Sequence, residues 1–539
     1  MTKERLCIYD TTLRDGQQTY GVDFSAEEKR QILASLDDVG VDYIEGGWPG
    51  ANPTDTDFFK NPPKLFHARL SAFGMTRRAG QSVGNDDLLM RILESQASSV
   101  CLVGKTHLAH VKNVLNTSPQ DNLQAIQESV SWMVEQGREV IFDAEHFFDS
   151  AHDDWSYALA CLDMAIAGGA RWVVLCDTNG GGMPADIGER VRQVCQHIPR
   201  NKVGIHTHND TEQAVANSLA AILNGARQIQ GTINGLGERC GNANLISIIP
   251  TLVLKKPFCD MFEIGISQEG LKKLLHVSRF LDEKLNRVPN NHAPYVGSSA
   301  FAHKAGLHAS AVLKNPAFYE HIDPAIVGNE RVFPISNQSG RANLLKTLRS
   351  FNIPNMTDAL LNKSDLTQLL DAVKDMEEQG FSYDMANASF VIFACKFLGI
   401  LPEFFMVEKY QVHITNTYSS ANSVSEAEAE LILKIGQKTQ IGRATAGGDY
   451  SNDGPVHALF MALCQCLGEY NCVRDWRLVD FKVRILTTGT KAITRVLIVS
   501  SDSQENFWTT VGVSPNIIEA SFQALVDSVK YRIFMSENS

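Results

Sequence analysis

The sequence predicts an α/β protein: a (β/α)8 TIM barrel followed by a mainly helical linker region and a C-terminal α+β regulatory domain. Eight short apolar or β-branched runs recur along residues 1–250, and helical patterns separate them. The pattern then becomes mainly helical up to about residue 405, and from about 408 strand-like runs surround helical ones. Strand and helix alternating eight times indicate a closed barrel rather than an open sheet.

The eight barrel runs are almost continuously apolar, which is typical of parallel strands buried on both faces. The helix after the first run shows how the intervening segments begin and end. Ser25 can cap it, Glu28 completes a capping box, and Gly40 closes it. The runs are 6–13, 42–49, 69–75, 99–105, 139–147, 172–179, 202–210 and 229–237.

The length of 539 residues exceeds what one hydrophobic core usually organises, so we predict several domains. The barrel is assigned to 1–254, helical linker subdomains to 255–405, and an α+β domain of ordinary size to 408–535. Gly447-Gly448 and Asn452-Asp453-Gly454 supply turn signals within the last domain.

Composition narrows the class of partner. With 44% hydrophobic and 20% charged residues the chain has the balance of a soluble globular protein, and its net charge is −12. That charge argues against nucleic acid or an anionic membrane as partner, although a metal and an arginine can still attract an anionic substrate locally. The eleven scattered cysteines, with no signal-peptide pattern and no apolar run of about 20 residues, predict a cytoplasmic protein.

Three separated motifs predict a metal site. Asp15 stands in DTTLRDGQQ, His206 and His208 in GIHTHND, and Asn242 in GLGERCGNAN. Residues two apart on a strand point the same way, so both imidazoles share a face. A His-x-His alone is more often a structural pair. Together with the carboxylate and the amide oxygen, it favours a divalent cation in a mixed N/O site.

Polar and bulky side chains also cluster where the predicted strands end. The carboxyl ends of barrel strands carry active sites in this architecture, so we expect these residues to converge in space. They are Arg14, Asp15, Trp48, Met75, Lys105, Glu145, Thr178, His206, His208 and Asn234.

These motifs resemble the DRE-TIM metallolyase superfamily and, within it, the 2-isopropylmalate, homocitrate and citramalate synthases that condense acyl-CoA. The matching segments also include AFAHKAGLHASAV and TTVGVSPNIIEASFQAL, so the resemblance spans nearly the whole chain. DTTLRDGQQTYGVDFS and IEGGWPGANPTDTDFF look most like (R)-citramalate synthases. The leucine-pathway enzymes usually read Gly-Phe-Pro where this chain has Gly47-Trp48-Pro49.

The resemblance implies an acyltransferase that condenses acetyl-CoA with pyruvate, hydrolyses the thioester and releases CoA and citramalate for 2-oxobutyrate and isoleucine biosynthesis. Mn²⁺ or Mg²⁺ suits a site with open positions, and Zn²⁺ is also compatible. Asn242 would be a fourth or outer ligand. The chief alternative is 2-isopropylmalate synthase acting on 2-oxoisovalerate. A hydroxymethylglutaryl-CoA-type lyase and a non-catalytic metabolite-binding barrel are further alternatives.

The resemblance also implies roles for particular residues. Arg14 would stabilise the developing alkoxide or enolate. Thr178 would bind the substrate carboxylate, the alternative being a helix cap. Glu145 and His308 are both candidates for the general base, and a tyrosine of the family corresponds to Tyr319. The region that holds the last two comes from the partner subunit of a homodimer in relatives.

Two further sets of residues concern the substrates. Trp48, Met75 and His146, with Phe73, are bulky side chains that predict a small acceptor pocket. Their composition does not separate pyruvate from 2-oxobutyrate. The glycine-rich loop after the eighth strand can place backbone amides against the CoA phosphates, or it can be a plain tight turn. Its candidate cofactor-binding residues are Gly235, Gly237 and Gly241.

The C-terminal domain carries no catalytic signature of its own. The resemblance implies a sensor for a branched-chain amino acid, isoleucine for a citramalate enzyme and leucine for an isopropylmalate enzyme. Truncation near residue 405 should then leave condensation activity and abolish inhibition.

Overall fold

The computed structural model describes residues 3–95, 97–334, 341–351, 353–354, 356–357, 363–418, 423–447, 454–486 and 492–536. The chain divides into two compact units. The first comprises 1–301 and 322–330, and the second 302–321 and 331–539. Gly448, Asn452 and Asp453, which the sequence suggests as turn residues, lie outside the described residues.

The first unit is a closed barrel of eight parallel strands that pair in chain order, with the eighth strand against the first. This confirms the predicted fold class. A short parallel ladder between Glu4–Arg5 and Phe262–Glu263 lies outside the barrel. The barrel strands are β1 (Cys7–Asp10), β2 (Tyr43–Gly47), β3 (Arg69–Met75), β4 (Ser99–Lys105), β5 (Glu139–Glu145), β6 (Trp172–Asp177), β7 (Val203–Thr207) and β8 (Gln228–Gly231).

Alternation along each strand produces two cores. In β4, Cys101 belongs to a cluster inside the barrel, whereas Val100 and Leu102 pack against the surrounding helices. Tyr9 is buried in the interior cluster, and its hydroxyl donates to Glu45 at 2.8 Å. The interior is therefore a packed, partly polar floor beneath the carboxyl ends of the strands.

Helices surround this barrel, and their ends follow the predicted signals. Ser25 and Glu28 form a capping box at the start of the first helix, and Gly40 ends it in the left-handed region at φ 95°. The helices are α1 (Ala26–Val39), α2 (Pro53–Phe58), α3 (Asp87–Glu94), α4 (Leu108–Asn113), α5 (Pro119–Glu135), α6 (Phe147–Asp153), α7 (Trp155–Ala167), α8 (Pro184–His197), α9 (Ala214–Asn224), α10 (Leu245–Leu254), α11 (Phe258–Met261) and α12 (Gln268–Lys284).

Helix α12 folds with the barrel, since Leu271, Leu274 and Val277 are buried in the barrel's outer core. The first unit thus includes residues beyond 254. The three ranges predicted from the sequence, 1–254, 255–405 and 408–535, stay a prediction, because compact packing units and functional domains need not share boundaries.

The second unit contains two antiparallel sheets of three strands each. One comprises β9 (Met406–Tyr418), β10 (Ser423–Ile435) and β11 (Lys438–Gly447); the other comprises β12 (Arg477–Ile485), β13 (Thr494–Ser501) and β14 (Phe507–Ser514). The strand-like runs of the sequence in this region are 410–417, 428–435, 476–486 and 492–501, and the structure adds β11 and β14 to them. Its helices are α13 (Gly306–Lys314), α14 (Arg341–Ser350), α15 (Lys363–Glu378), α16 (Asn387–Phe397), α17 (Pro455–Cys466) and α18 (Ile517–Ser536).

Helix α16 is joined to the second sheet and to α18. The Ser389 hydroxyl lies 2.7 Å from Asp527 on α18 and accepts the N–H of Val511 at 3.0 Å, and Thr509 N–H donates to Asn387. One hydrophobic core includes Phe390, Val511 and buried residues of α18. A cut at residue 405 would therefore divide this core and expose it to water.

Within the described ranges, every helix is too short or too polar to cross a membrane.

Candidate active site

Three predicted metal ligands meet at the carboxyl end of the barrel. The candidate ligand atoms of Asp15, His206 and His208 all lie within 4.8 Å of one another. His206 Nε2 is 3.3 Å from Asp15 Oδ2 and 3.3 Å from His208 Nε2. All three side chains are buried. The geometry is that of a chelating cluster shielded from bulk water.

Local structure explains this convergence. Asp15 follows β1 and begins a short 3₁₀ turn at Gly16–Gln18. His206 lies in β7 and His208 just beyond it, two residues apart, so both rings point to the same face. The neighbouring positions of the barrel order, β1, β8 and β7, bring the two segments together.

Asn242 brings a fourth donor group. It forms an antiparallel bridge with His208, and its Nδ2 donates to the carbonyl of Leu236 at 3.2 Å. Its Oδ1 is buried without a hydrogen-bond partner, as is His208 Nδ1. Buried polar atoms are rarely left unpaired. An orphaned oxygen beside two imidazoles and a carboxylate fits a divalent cation of the Mn²⁺, Mg²⁺ or Zn²⁺ type.

A hydrogen-bonded relay orients His206. Its Nδ1 lies 2.8 Å from Gln230 Oε1, and Gln230 Nε2 donates to Asp143 Oδ1 at 2.9 Å. Because an amide oxygen only accepts, His206 Nδ1 carries the proton and its Nε2 presents a lone pair to the cluster. Such outer partners fix the tautomer and direction of metal-binding histidines.

Arg14 is held beside the cluster by two acids and an aromatic ring. Its Nε donates to Glu45 Oε2 at 2.6 Å, its Nη1 is 3.3 Å from Asp15 Oδ2, and its guanidinium lies 3.9 Å from the Phe73 ring centre. Burial lowers the Arg14 pKa, but the charges of Glu45 and Asp15 outweigh burial and raise it. Arg14 is therefore a fixed, permanently charged donor.

Asp15 and His208 are electrostatically prepared for a cation; at His206, burial lowers the pKa but the Asp15 carboxylate outweighs burial and raises it. Burial raises the Asp15 pKa, but Arg14 and His206 outweigh it and hold that pKa well below its usual value. Burial and the neighbouring His206 lower the His208 pKa to about 3. His208 is thus neutral at ordinary pH, as a metal ligand must be.

Acids outnumber cations around this site. Asp10, Glu45 and Asp143 are buried in addition to Asp15, and Arg14 pairs with Glu45 and Asp15. Burial raises the pKa of Asp10 to about 7 and that of Asp143 to about 6. A bound divalent cation would offset this concentration of negative charge.

A cavity of about 330 Å³ opens above the cluster. Lys105 and Glu145, opposite each other on β4 and β5, form an ion pair of 2.5 Å at its wall. Thr178 also lines the cavity, and its Oγ1 accepts the N–H of His146 at 2.9 Å. Aromatic and apolar side chains complete the wall, among them Trp48, Phe73, Met75 and Val103.

Comparison with known proteins agrees with this site. Residues 5–280 match the HMGL-like family, 295–380 the homocitrate synthase post-HMGL domain-like family, and 385–533 the LeuA allosteric (dimerisation) domain. The chain is 45% identical to the (R)-citramalate synthase of Aquifex aeolicus, covering 99% of both chains, and 44% identical to that of Geobacter sulfurreducens, covering 98% of both.

The chain belongs to the (R)-citramalate synthase family. A 2-isopropylmalate synthase from Dictyoglomus turgidum is more distant, at 28% identity over 98% of this chain and 99% of that protein. Family membership confirms the resemblance to DRE-TIM enzymes that the sequence motifs suggest. It also confirms the enzyme class, an acetyl-CoA-dependent condensing enzyme.

Other predicted residues are not among the described residues that line the catalytic cavity. His146 has a left-handed backbone at φ 60°, and its ring lies 4.2 Å from that of His110 in an adjoining small cleft. His308 and Tyr319 belong to the second unit, where their rings stack at 4.2 Å and Tyr319 is 46% exposed. His146 thus contacts His110 and Asp149, and its contact with substrate stays a prediction.

The glycine-rich loop needs a correction. The N–H groups of Gly235, Gly237 and Gly241 donate to Thr232 O, Thr19 Oγ1 and Glu238 O respectively. A Cβ on Gly241 would lie 2.0 Å from the Gly235 carbonyl oxygen. These glycines therefore form a tight turn, and their amides are already engaged rather than open to phosphate.

Three residues of the site were missed by sequence reasoning. Glu45, Asp143 and Gln230 lie within β2, β5 and β8 and support Arg14 and His206. The sequence feature that could have identified them is a polar side chain inside an otherwise apolar strand. Such a position can point into the barrel, where it must find a partner.

Proposed function

We propose that this enzyme condenses acetyl-CoA with pyruvate and hydrolyses the thioester to give (R)-citramalate and CoA. The observation that carries the proposal is the buried cluster of Asp15, His206 and His208 beside Arg14, at the end of a small apolar cavity. The identity of 45% to a citramalate synthase, against 28% to a 2-isopropylmalate synthase, favours pyruvate as the acceptor.

A divalent metal would be held by Asp15, His206 and His208, with Asn242. When bound, this metal would polarise the 2-oxo group of the substrate and bind the adjacent carboxylate. Arg14 can place its charge on the oxygen that becomes negative during carbon–carbon bond formation. Its pairing with Glu45 and stacking on Phe73 fix that charge before substrate arrives.

Thr178 suits the binding of the substrate carboxylate. Its hydroxyl oxygen accepts the N–H of His146, so its own hydrogen is available to donate into the cavity. This arrangement supports the substrate role rather than simple helix capping.

The general base is assigned to Glu145 or His308. Glu145 lines the cavity beside Lys105, so its carboxylate can accept a proton from the acetyl methyl group. His308 and Tyr319 would reach the site from the partner subunit of a dimer. Glu145→Gln and His308→Gln, tested separately, distinguish the two by which one loses exchange of the acetyl protons.

The cavity wall favours a small acceptor. Trp48 and Phe73 meet edge to face at 5.4 Å, and Met75 adds a third bulky side chain. A single extra methylene is worth only about 1–3 kcal/mol in such a pocket, so 2-oxobutyrate should be a poorer substrate rather than an inert one.

The test measures free CoA released from acetyl-CoA with pyruvate, 2-oxobutyrate or 2-oxoisovalerate, with Mn²⁺, Mg²⁺ or Zn²⁺. We expect pyruvate to be preferred and Asp15→Ala to be inactive yet folded by circular dichroism. Preference for 2-oxoisovalerate would show that the enzyme is a 2-isopropylmalate synthase. Unchanged turnover of Asp15→Ala would contradict the metal site.

We further propose that the C-terminal region senses isoleucine, the end product of the route that citramalate feeds. The match to an allosteric domain supports this, as does an apolar cavity of about 680 Å³ in the second unit. Ile517, 43% exposed, lines it with Pro455 and Leu478. Ile517→Asp should abolish inhibition by isoleucine while activity persists. Val114→Asp, an exposed valine of the first unit, is the control.

A homodimer is proposed on related grounds. Strand β12 exposes Val479, Phe481, Val483 and Ile485, alternate residues that share one face. A row of exposed apolar side chains marks an interaction surface, and the matched family domain is described as a dimerisation domain. Sedimentation should give twice the chain mass of 59.4 kDa.

The cellular location is proposed to be the cytoplasm. All eleven cysteines are free thiols, most of them buried or partly buried. Unpaired cysteines in this number are typical of a reducing compartment.

A further inference from the structure

A second cavity of the first unit, of about 490 Å³, lies between the loop after β8 and the last turns of α12. Asn234, at φ 59°, joins its two walls. Its Nδ2 donates to Ser278 O at 3.0 Å and to Asp282 Oδ1 at 3.2 Å, and Ser278 Oγ donates to its Oδ1 at 2.6 Å. These bonds hold the loop against the helix, so the cavity is formed before any ligand binds.

Two arginines give this cavity its charge. Arg279 and Arg287 line it; neither lies within salt-bridge distance of an acid among the described residues, although the charge of Arg287 acts on Asp282 in the same wall. Asp282 is the acid of the wall; burial raises its pKa, and one of its oxygens is engaged by Asn234. The cavity is therefore suited to a ligand that carries several negative charges.

The cations of the catalytic cavity are already engaged. Lys105 pairs with Glu145, Arg239 with Asp210, and Arg14 with Glu45 and Asp15. The amides of the glycine-rich loop are engaged as well. A polyanionic end of a substrate would find few unpaired donors there.

The two cavities adjoin along the chain. Leu236 lines the second cavity, and Glu238 and Arg239 line the catalytic one. Gly237 between them is bonded to Thr19 at 2.7 Å. One short stretch of the β8 loop therefore contributes residues to both cavities.

We propose that this second cavity binds the 3′-phosphorylated nucleotide end of acetyl-CoA, with Arg279 and Arg287 contacting phosphate oxygens while the thioester enters the catalytic cavity. The inference rests on acetyl-CoA as the acyl donor of the proposed function. It places the charged end of the donor against the residues that line the second cavity, outside the metal site.

The experiment compares acetyl-CoA with 3′-dephospho-acetyl-CoA as donor, using the 2-oxo acid that the intact enzyme prefers. Wild-type enzyme should favour acetyl-CoA in kcat/KM by about tenfold or more. In Arg279→Gln/Arg287→Gln the preference should fall to near one, through a higher KM for acetyl-CoA. Arg192→Gln, an exposed arginine of α8 paired with Glu189, is the matched control.

A double variant that keeps the wild-type preference would overturn the proposal. If the double variant does not fold, a second measurement on the wild-type enzyme still tests the proposal. Adenosine 3′,5′-bisphosphate should inhibit the wild-type enzyme competitively against acetyl-CoA, and failure to compete would also overturn it. Lack of CoA release with every 2-oxo acid would instead contradict the proposed function, so the two failures are distinguishable.

Discussion

Gln230 Oε1 accepts a hydrogen bond from His206 Nδ1 at 2.8 Å. The other end of the Gln230 amide donates to Asp143, so the amide can take only one orientation. This single contact sets which nitrogen of His206 is protonated and thus which one faces Asp15 and His208.

Replacement of Gln230 should therefore weaken metal binding without removing a ligand. We expect Gln230→Leu to lower the affinity for Mn²⁺ by about 10–100-fold, because the His206 ring loses its orienting acceptor. Calorimetric titration of metal-free enzyme measures this directly. Gln193→Leu on outer helix α8 is the control and should bind Mn²⁺ normally. Equal affinity of the two variants would refute the orienting role.

Arg14→Lys should lower kcat by about 10²–10³. A lysine keeps the charge but cannot contact Glu45 and Asp15 together while stacking on Phe73. CoA release under saturating substrates gives kcat, and far-ultraviolet circular dichroism checks the fold. Arg30→Lys, on the partly exposed face of α1, should leave kcat unchanged. A loss confined to KM would show that Arg14 contributes only to binding.

Lys29 is 0% exposed and pairs with Asp55, which also accepts the backbone N–H of Trp48. Lys29→Met should destabilise the protein by about 3–5 kcal/mol, because it leaves the buried Asp55 carboxylate without a countercharge. Urea unfolding measures the loss. Lys29→Met/Asp55→Asn should recover part of it, whereas Lys60→Met, from an exposed pair with Asp57, should change stability little. A stable single variant would argue against this role.

Asp10 makes metal-free enzyme less stable as pH rises. Its folded pKa of about 7 exceeds the ordinary value of 3.8, so between these pH values the folded state binds more protons than the unfolded state. The free energy of unfolding then falls by up to about 4 kcal/mol from acid to neutral pH. Asp10→Asn should flatten this part of the profile, as measured by urea unfolding at pH 5 and pH 8. An unchanged slope would assign the dependence to other groups.

The sequence was a sufficient guide to the barrel because each strand is an uninterrupted apolar run between polar helices. It also located the ligands, since Asp15, His206 and His208 follow or end such runs. The hydrogen-bonded relay through Gln230 and Asp143 was harder to predict from the sequence. Whether a polar strand residue points inward depends on register, and register is set by pairing between distant strands.

The glycine-rich loop shows a different limit. Its composition suits both an anion-binding loop and a tight turn, and the distinction depends on where each N–H donates. Gly237 donates to Thr19, a residue over two hundred positions away in the chain. Local sequence does not contain that information.

Helix α16, strand β14 and helix α18 share one core with the unit that carries His308 and Tyr319. The elements of the proposed sensor and the candidate catalytic side chains thus belong to one compact unit rather than to two modules joined by a tether. An effector that loosens or tightens this body needs no relay to reach them. Inhibition would then depend on how the core of this unit packs. Substitutions in that core, far from any ligand, would abolish it.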